Sequence, residues 1–293
     1  MDHYSISGYV IGLLDFPEYM IWDRFNEFTC PAATPHMTFT IIAKDYEEAC
    51  ILPDGAQLLV ESSLNRTYKL GGSTHFLHTQ GEVVSSIIVN NDYSECILNI
   101  EPSFCSLHAD FEKQTLINCE IVTEIRKILT GRLAVDRGLC LHSCVINYNG
   151  NGVLFSAVTK TGKSTHAHFW QEVFPGTEII NGDNGFCRVL DDCPFVFGAP
   201  WCGDSNEYIN KTLPVSAIVF IERAPENSIE KLGALDAFMR LSARCYMPFW
   251  DKDLVNKTMD TVEYMTREVA CYLLKCRPDR DAVRIAHHEL FGT

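Results

Sequence analysis

The residues best placed to do chemistry fall in one run, FSAVTKTGKSTHAHFW, at positions 155–170. From Ala157 to Ser164 the spacing is that of a phosphate-binding loop, with Ala157 at the opening position where glycine is usual. Gly162 can take a conformation closed to other residues, so loop N–H groups can turn onto phosphate oxygens, and a helix starting at Lys163 would add the positive end of its dipole. Lys163 then meets the β- and γ-phosphates as a point charge, the Ser164 hydroxyl ligates Mg²⁺, and Thr165 adds a phosphate hydrogen bond. Thr159, Lys160 and Thr161 complete the loop, with Lys160 as an extra cation near the phosphates. The expected ligands are ATP and Mg²⁺. His166 and His168 stand two apart, so on a helix they point about 200° from one another and cannot share a metal ion; surface or packing roles are expected.

Such a loop needs a strand before it and a helix after it. LCLHSCVINYNGNGVLFSA reads as two apolar strands around a polar turn at Asn147 to Gly152, and the second strand runs straight into the loop. Downstream, EII, FCRVL and VSAIVFIER read as strands, and helices are expected near 234–246, 251–272 and 279–291. Upstream, Leu116, Cys119, Ile121, Ile125, Ile128, Leu129 and Leu133 recur close to the helical period, with Glu120, Glu124, Arg126 and Lys127 off that face. This helix is expected to bridge two halves. From residue 1 to 112, short runs such as SISGYVIGLL, MTFTIIA, AQLLVES, VSSIIVN and CILNIEP predict an antiparallel sheet. The expected division is a β-rich, substrate-facing module over 1–112 and a catalytic domain over 113–293.

At 293 residues, 46% hydrophobic and 21% charged, the chain has the composition of a globular protein with room for one large or two modest domains. A formal charge of -14, without a basic stripe, argues against a nucleic-acid polymer as partner, whereas a mononucleotide held with Mg²⁺ is compatible with it. No basic n-region with an apolar stretch opens the chain, and no segment runs apolar for about 18 residues, so the expectation is cytoplasmic, with no membrane partner. The 13 cysteines are an odd number without framework spacing, which predicts reduced, mostly buried thiols. Cys140 and Cys144 would share a strand face, but nothing beside them completes a zinc set.

Around the loop lie GLCLHSCVI, EIINGDNGFCRV, GAPWCGDSN and LPVSAIVFIERAPEN. Together, over about residues 130 to 290, they resemble the catalytic domain of HPr kinase/phosphorylase and the small related kinases with the phosphoenolpyruvate-carboxykinase type of P-loop fold. The resemblance implies a mixed α/β P-loop kinase domain behind a β-rich N-terminal region. It implies that His142 and Asp183 face the γ-phosphate, Asp183 as Mg²⁺ ligand or general base and His142 orienting or charge-tuning it; with Lys163 they form the catalytic set. HPr kinases usually carry two adjacent acids here, but Asp183 is followed by Asn184, which favours simple kinase action over a dual kinase and phosphorylase chemistry. The signature protein-substrate segment of that family is not found downstream, so HPr itself is not the expected acceptor.

GAPWCGDSNEYINKTLP resembles the smaller kinases of peptide-modification systems, including those that phosphorylate a serine in a ribosomal peptide precursor. Trp201, Gly203 and Lys211 there, with Arg188 on the preceding strand, are candidates for acceptor or nucleotide contact. YLLKCRPDRDAVRIAHHEL resembles the end of the same kinases, a strand, a turn and a helix, with Asp279 at the helix start. The expected activity is transfer of the γ-phosphoryl group of ATP to a hydroxyl, serine in a peptide or as a free metabolite, with room left for a homo-oligomer. The rival expectation is a nucleotide-responsive binding protein whose β-rich half takes a peptide by strand addition and whose loop is degenerate. A carboxykinase-like enzyme is a weaker third, since the chain is short and lacks ligands for a second cation.

Overall fold

The computed structural model describes residues 1–49, 51, 54–62, 65–78, 84–105 and 111–292. The chain divides into two units. One comprises Met1–Ser5, Tyr9–Val135 and Pro248–Leu254; the other Ile6–Gly8, Asp136–Met247 and Val255–Thr293.

The first unit is built on an eight-stranded sheet of β1 (Asp2–Ile6), β2 (Tyr9–Leu14), β3 (Met37–Ala43), β4 (Gln57–Glu61), β5 (Asn65–Leu70), β6 (Ser73–His78), β7 (Val84–Asn90) and β8 (Glu95–Ile100). Their order in the sheet is β1-β2-β3-β8-β7-β6-β5-β4. The expected purely antiparallel sheet is corrected at two places, since β2 pairs β3 and β3 pairs β8 in parallel. The 22 residues between β2 and β3 have room for a crossover with two short 3₁₀ turns, which a strand-by-strand reading cannot see.

Helix α1 (Tyr46–Ala49) is a single turn, and α2 (Phe111–Val135) closes the first unit instead of opening the second. Its buried stripe is Ile117, Ile121, Ile125, Ile128, Leu129 and Leu133, while Leu116 and Cys119, expected on that stripe, face solvent. Glu124, expected outside, is buried and ion-paired to Lys127 three residues on. A buried carboxylate persists where a cation compensates it.

The second unit carries β9 (Gly138–Tyr148), β10 (Asn151–Ser156), β11 (Glu178–Asn181), β12 (Asn184–Leu190), β13 (Cys193–Phe197), β14 (Thr212–Arg223), β15 (Ser228–Lys231) and β16 (Ala270–Cys276). Its helices are α3 (Lys163–Val173), α4 (Ala234–Ser242), α5 (Lys252–Glu268) and α6 (Arg280–Phe291), the first residues of α5 falling in the first unit. The β9–β10 connection is a two-residue turn with Asn149 at φ 50° and Gly150 at φ 84°, the left-handed pair that a twisted hairpin selects. β10 pairs β14 and β14 pairs β16, both in parallel, and the path β10-β9-β12-β13-β14 closes on itself. Strands covered on both faces need unbroken apolar runs, and AIVFI, residues 217–221 of β14, supplies one.

Two apolar layers flank these strands. On one face Leu141, Leu154, Ile218 and Leu273 pack with Ala237 and Leu241 of α4 and Val262 and Met265 of α5. On the other, Ile146, Phe155 and Val219 pack with Ala167 and Trp170 of α3 and Val283 and Ala286 of α6. The fold is thus mixed α/β with two large mixed sheets. The helix expected to reach 272 ends at Glu268, and ACYLLKC continues as β16. Asp279 caps α6 by accepting from the Ala282 N–H at 3.0 Å. No disulfide links the described cysteines, of which seven are buried.

Candidate functional site

β9 is buried along its length except at His142 and Tyr148. His142 is fixed on three sides: its N–H donates to the Arg244 carbonyl at 3.0 Å, its carbonyl accepts from the Ser156 hydroxyl at 2.8 Å, and its register partner is Asn184. That register places Asp183, at the entry to β12, beside the imidazole, with His142 Nε2 at 3.0 Å from Asp183 Oδ1.

From the far side comes Lys163, first residue of α3. Its Nζ lies 2.8 Å from His142 Nε2 and 3.9 Å from Asp183 Oδ1. Burial lowers the Lys163 pKa, and the Asp183 charge partly restores it. Nε2 faces a donor and an acceptor with only one site for both. With Lys163 charged, Nε2 accepts from it; with Lys163 drawn aside, Nε2 can donate to Asp183.

Asp183 is held from behind by residues absent from the expected set. Buried Asn181 accepts from the N–H groups of Asp183 (2.9 Å) and Asn184 (2.7 Å) and donates to the carbonyls of Ala199 (2.8 Å) and Trp201 (3.2 Å). Asn184 donates to Asp183 Oδ2 at 3.1 Å and to the Trp201 carbonyl at 2.9 Å. Asn184, next to Asp183 in the chain, is thus a buried amide that orients the carboxylate. Gly203 completes the support: at φ 61°, an added Cβ would stand 3.0–3.2 Å from three Asp183 atoms.

The loop before α3 turns through Thr161 N–H to the Val158 carbonyl at 3.1 Å, with Lys160 at φ 64° and Gly162 at φ 125°. Arg223 at the end of β14 clamps it, donating to the carbonyls of Lys160 at 2.5 Å and Thr161 at 3.1 Å. Ala157 is buried, Thr159, Lys160 and Thr165 are exposed, and Thr161, Gly162 and Ser164 are half-buried. The first N–H groups of α3 have no carbonyl partners within the helix and point toward this loop, which suits an anion. His166 is buried, accepts from Trp170 Nε1 at 3.1 Å, and is pushed by burial to a pKa of about 3, so it is a neutral packing residue. His168 turns outward to Glu207 at 2.8 Å.

The four residues expected to contact substrate separate. Gly203 backs Asp183 and lines the cavity in front of it. The Trp201 ring is buried against Phe186, centroids 5.6 Å apart, and its carbonyl accepts from Asn181 and Asn184. Lys211 is paired to Glu178, whose register partner Asn147 is about 16 Å along β9 from His142. Arg188 pairs in register with Gly138, about 13 Å the other way, donates to the Ser7 carbonyl at 3.2 Å and lies 4.0 Å from Asp136. Spacing along a strand does not say which end a site occupies.

A cavity of about 520 Å³ opens on the pair, lined by His142, Asp183, Gly203, Asp204, Arg244 and Tyr246. Arg244 is not marked by any sequence pattern, and Asp204 lies within GAPWCGDSN without being among the expected contacts. RLSARCYM carries no motif; backbone bonds from His142 N–H to the Arg244 carbonyl (3.0 Å) and from Tyr246 N–H to the Cys140 carbonyl (2.9 Å) bring that segment against β9. A second cavity, about 470 Å³, lies by Gly162, Thr165, Ile221, Arg223, Cys276 and Pro278.

Among the described residues no three His, Cys, Asp or Glu side chains form a metal cage; a magnesium ion that keeps water and phosphate ligands would need only the Asp183 carboxylate and the Ser164 hydroxyl from the protein. No helix among the described residues is long and apolar enough to cross a membrane.

No protein-family model matches the chain, and no curated protein matches it in sequence. Among solved structures it is similar to the Hpr(Ser) kinase/phosphatase from Coxiella burnetii, at 10% identity over 52% of this chain and 93% of that one, with a TM-score of 0.31. At that TM-score the likeness carries no weight for function.

Proposed function

We propose that the second unit is an ATP- and Mg²⁺-dependent kinase that transfers the γ-phosphoryl group to a hydroxyl, serine in a peptide or free serine. One observation carries this: the first residue of α3, a strand histidine and a loop carboxylate converge within 2.8–3.9 Å at the mouth of an open cavity. Phosphoryl transfer asks for little covalent help and much positioning.

The chain's residues divide the work. The α3 N-terminus, the loop N–H groups and the Lys163 ammonium bind the phosphates. Ser164 and Asp183 would hold Mg²⁺, which supplies neutralisation of charge on the phosphate oxygens. Asp183, oriented by His142, Asn184 and Gly203, accepts the proton of the acceptor hydroxyl. The bond from that oxygen to the γ-phosphorus forms as the bond to the β–γ bridging oxygen breaks, and ADP leaves with the electron pair.

Asp183→Asn tests this division of labour. ATP binding measured without Mg²⁺ should remain near wild type, while acceptor-dependent ADP release with Mg²⁺ falls by about 10²-fold or more. A wild type that binds ATP but releases no ADP with any serine-containing acceptor would favour the nucleotide-responsive binding protein instead.

A further inference from the structure

Beside the cavity before Asp183 lies a smaller one, about 300 Å³, that shares Ala243 and Arg244 with it. Its walls include Val158, Phe220, Met239 and Ala243, with Asp236, Arg244 and the Arg240–Glu222 ion pair (2.7 Å) also lining it. Val158 is 57% exposed and Met239 59%, a cost that a covering group would remove. Nothing in the proposed chemistry uses these side chains.

The spacing suggests the occupant. From Met239 to Ala243 is one helical turn, about 6 Å, and Ala243 borders both cavities. In an extended chain, side chains two residues apart point the same way and stand about 6.6 Å apart. A volume near 300 Å³ holds one large aliphatic or aromatic side chain and excludes a folded element. Free serine would leave it unfilled.

We propose that the acceptor is an extended peptide segment, and that the smaller cavity receives an apolar side chain two residues from the phosphorylated serine, with Met239 as a specificity-determining contact. This rests on the kinase reading and narrows its acceptor.

The experiment uses the full chain, ATP, Mg²⁺ and matched serine peptides carrying Leu or Gly two residues to either side of the serine. For at least one side, the Leu peptide should show kcat/KM about 10-fold above its Gly partner, the effect of one buried aliphatic side chain. Met239→Glu should abolish that preference, Met239→Leu should keep it, and both should bind ATP as the wild type does. Equal turnover of Leu and Gly peptides, or a preference that survives Met239→Glu, overturns the inference and leaves the kinase standing. Turnover of free serine or a small aliphatic alcohol as efficient as that of the best peptide also overturns it. ATP binding without ADP release for any acceptor overturns both.

Discussion

Asn184→Asp replaces a buried amide by a carboxylate of the same shape and tests whether Asp183 depends on its neighbour. In the structure the Asn184 amide donates to Asp183 Oδ2 at 3.1 Å and to the Trp201 carbonyl at 2.9 Å. The substitution removes both donors and sets two carboxylates about 3 Å apart. At an effective dielectric of about 20 their repulsion is about 5 kcal/mol. The pair would instead retain one proton, which by pH 7 costs about 4 kcal/mol relative to an unfolded acid of pKa about 3.9. A loss of about 2–4 kcal/mol near pH 7 is therefore expected, the lower figure allowing for the hydrogen bond the retained proton makes. The sign with pH follows. The variant's carboxyl pKa is raised in the folded state, so stability is fully present below the unfolded pKa and is lost as pH rises through the folded one. Urea unfolding of both proteins at about pH 5 and about pH 7.5 reads the difference, which should shrink at the lower pH. A difference under about 1 kcal/mol that does not change with pH would mean that Asp183 does not depend on the Asn184 amide.

Gly203→Ala combines a left-handed φ of 61° with a Cβ pressed on Asp183; we expect a loss of about 1–2 kcal/mol and reduced acceptor-dependent turnover with ATP binding kept, checked by unfolding and calorimetry. Buried His166 has its pKa depressed from 6.5 to about 3, so the native protein should lose a few kcal/mol as pH falls from about 6.5 toward about 3, where the unfolded state binds the extra proton. His166→Gln removes that titration, so its stability measured against pH should be flatter over the same window than the wild type's.

Much of the site's frame is legible in the residues themselves. GVLFSA forms the strand, Gly162 takes the positive φ, and Asn149-Gly150 makes the turn that aligns His142 with the loop. Asp183 meets His142 because Asn184 is its register partner, a tertiary fact suggested by resemblance and not by local pattern. What stays hidden has the same cause. The parallel pairings of β3, the outward turn of Leu116 and the buried Glu124 depend on what packs against each residue. Arg244 and Asn181 enter through backbone and amide bonds to distant strands. Arg188 and Lys211 look like site cations until register places them toward opposite ends of β9.

Calorimetric titration of ATP, with Mg²⁺, into the wild type and Lys163→Ala, alongside unfolding curves for both, decides whether the loop before α3 is a working phosphate cradle. Binding by the wild type, loss of it in the variant and little change in stability are expected, because the Lys163 ammonium meets only His142 and Asp183 among the described residues. Equal binding by both proteins, or none by a folded wild type, would contradict the cradle.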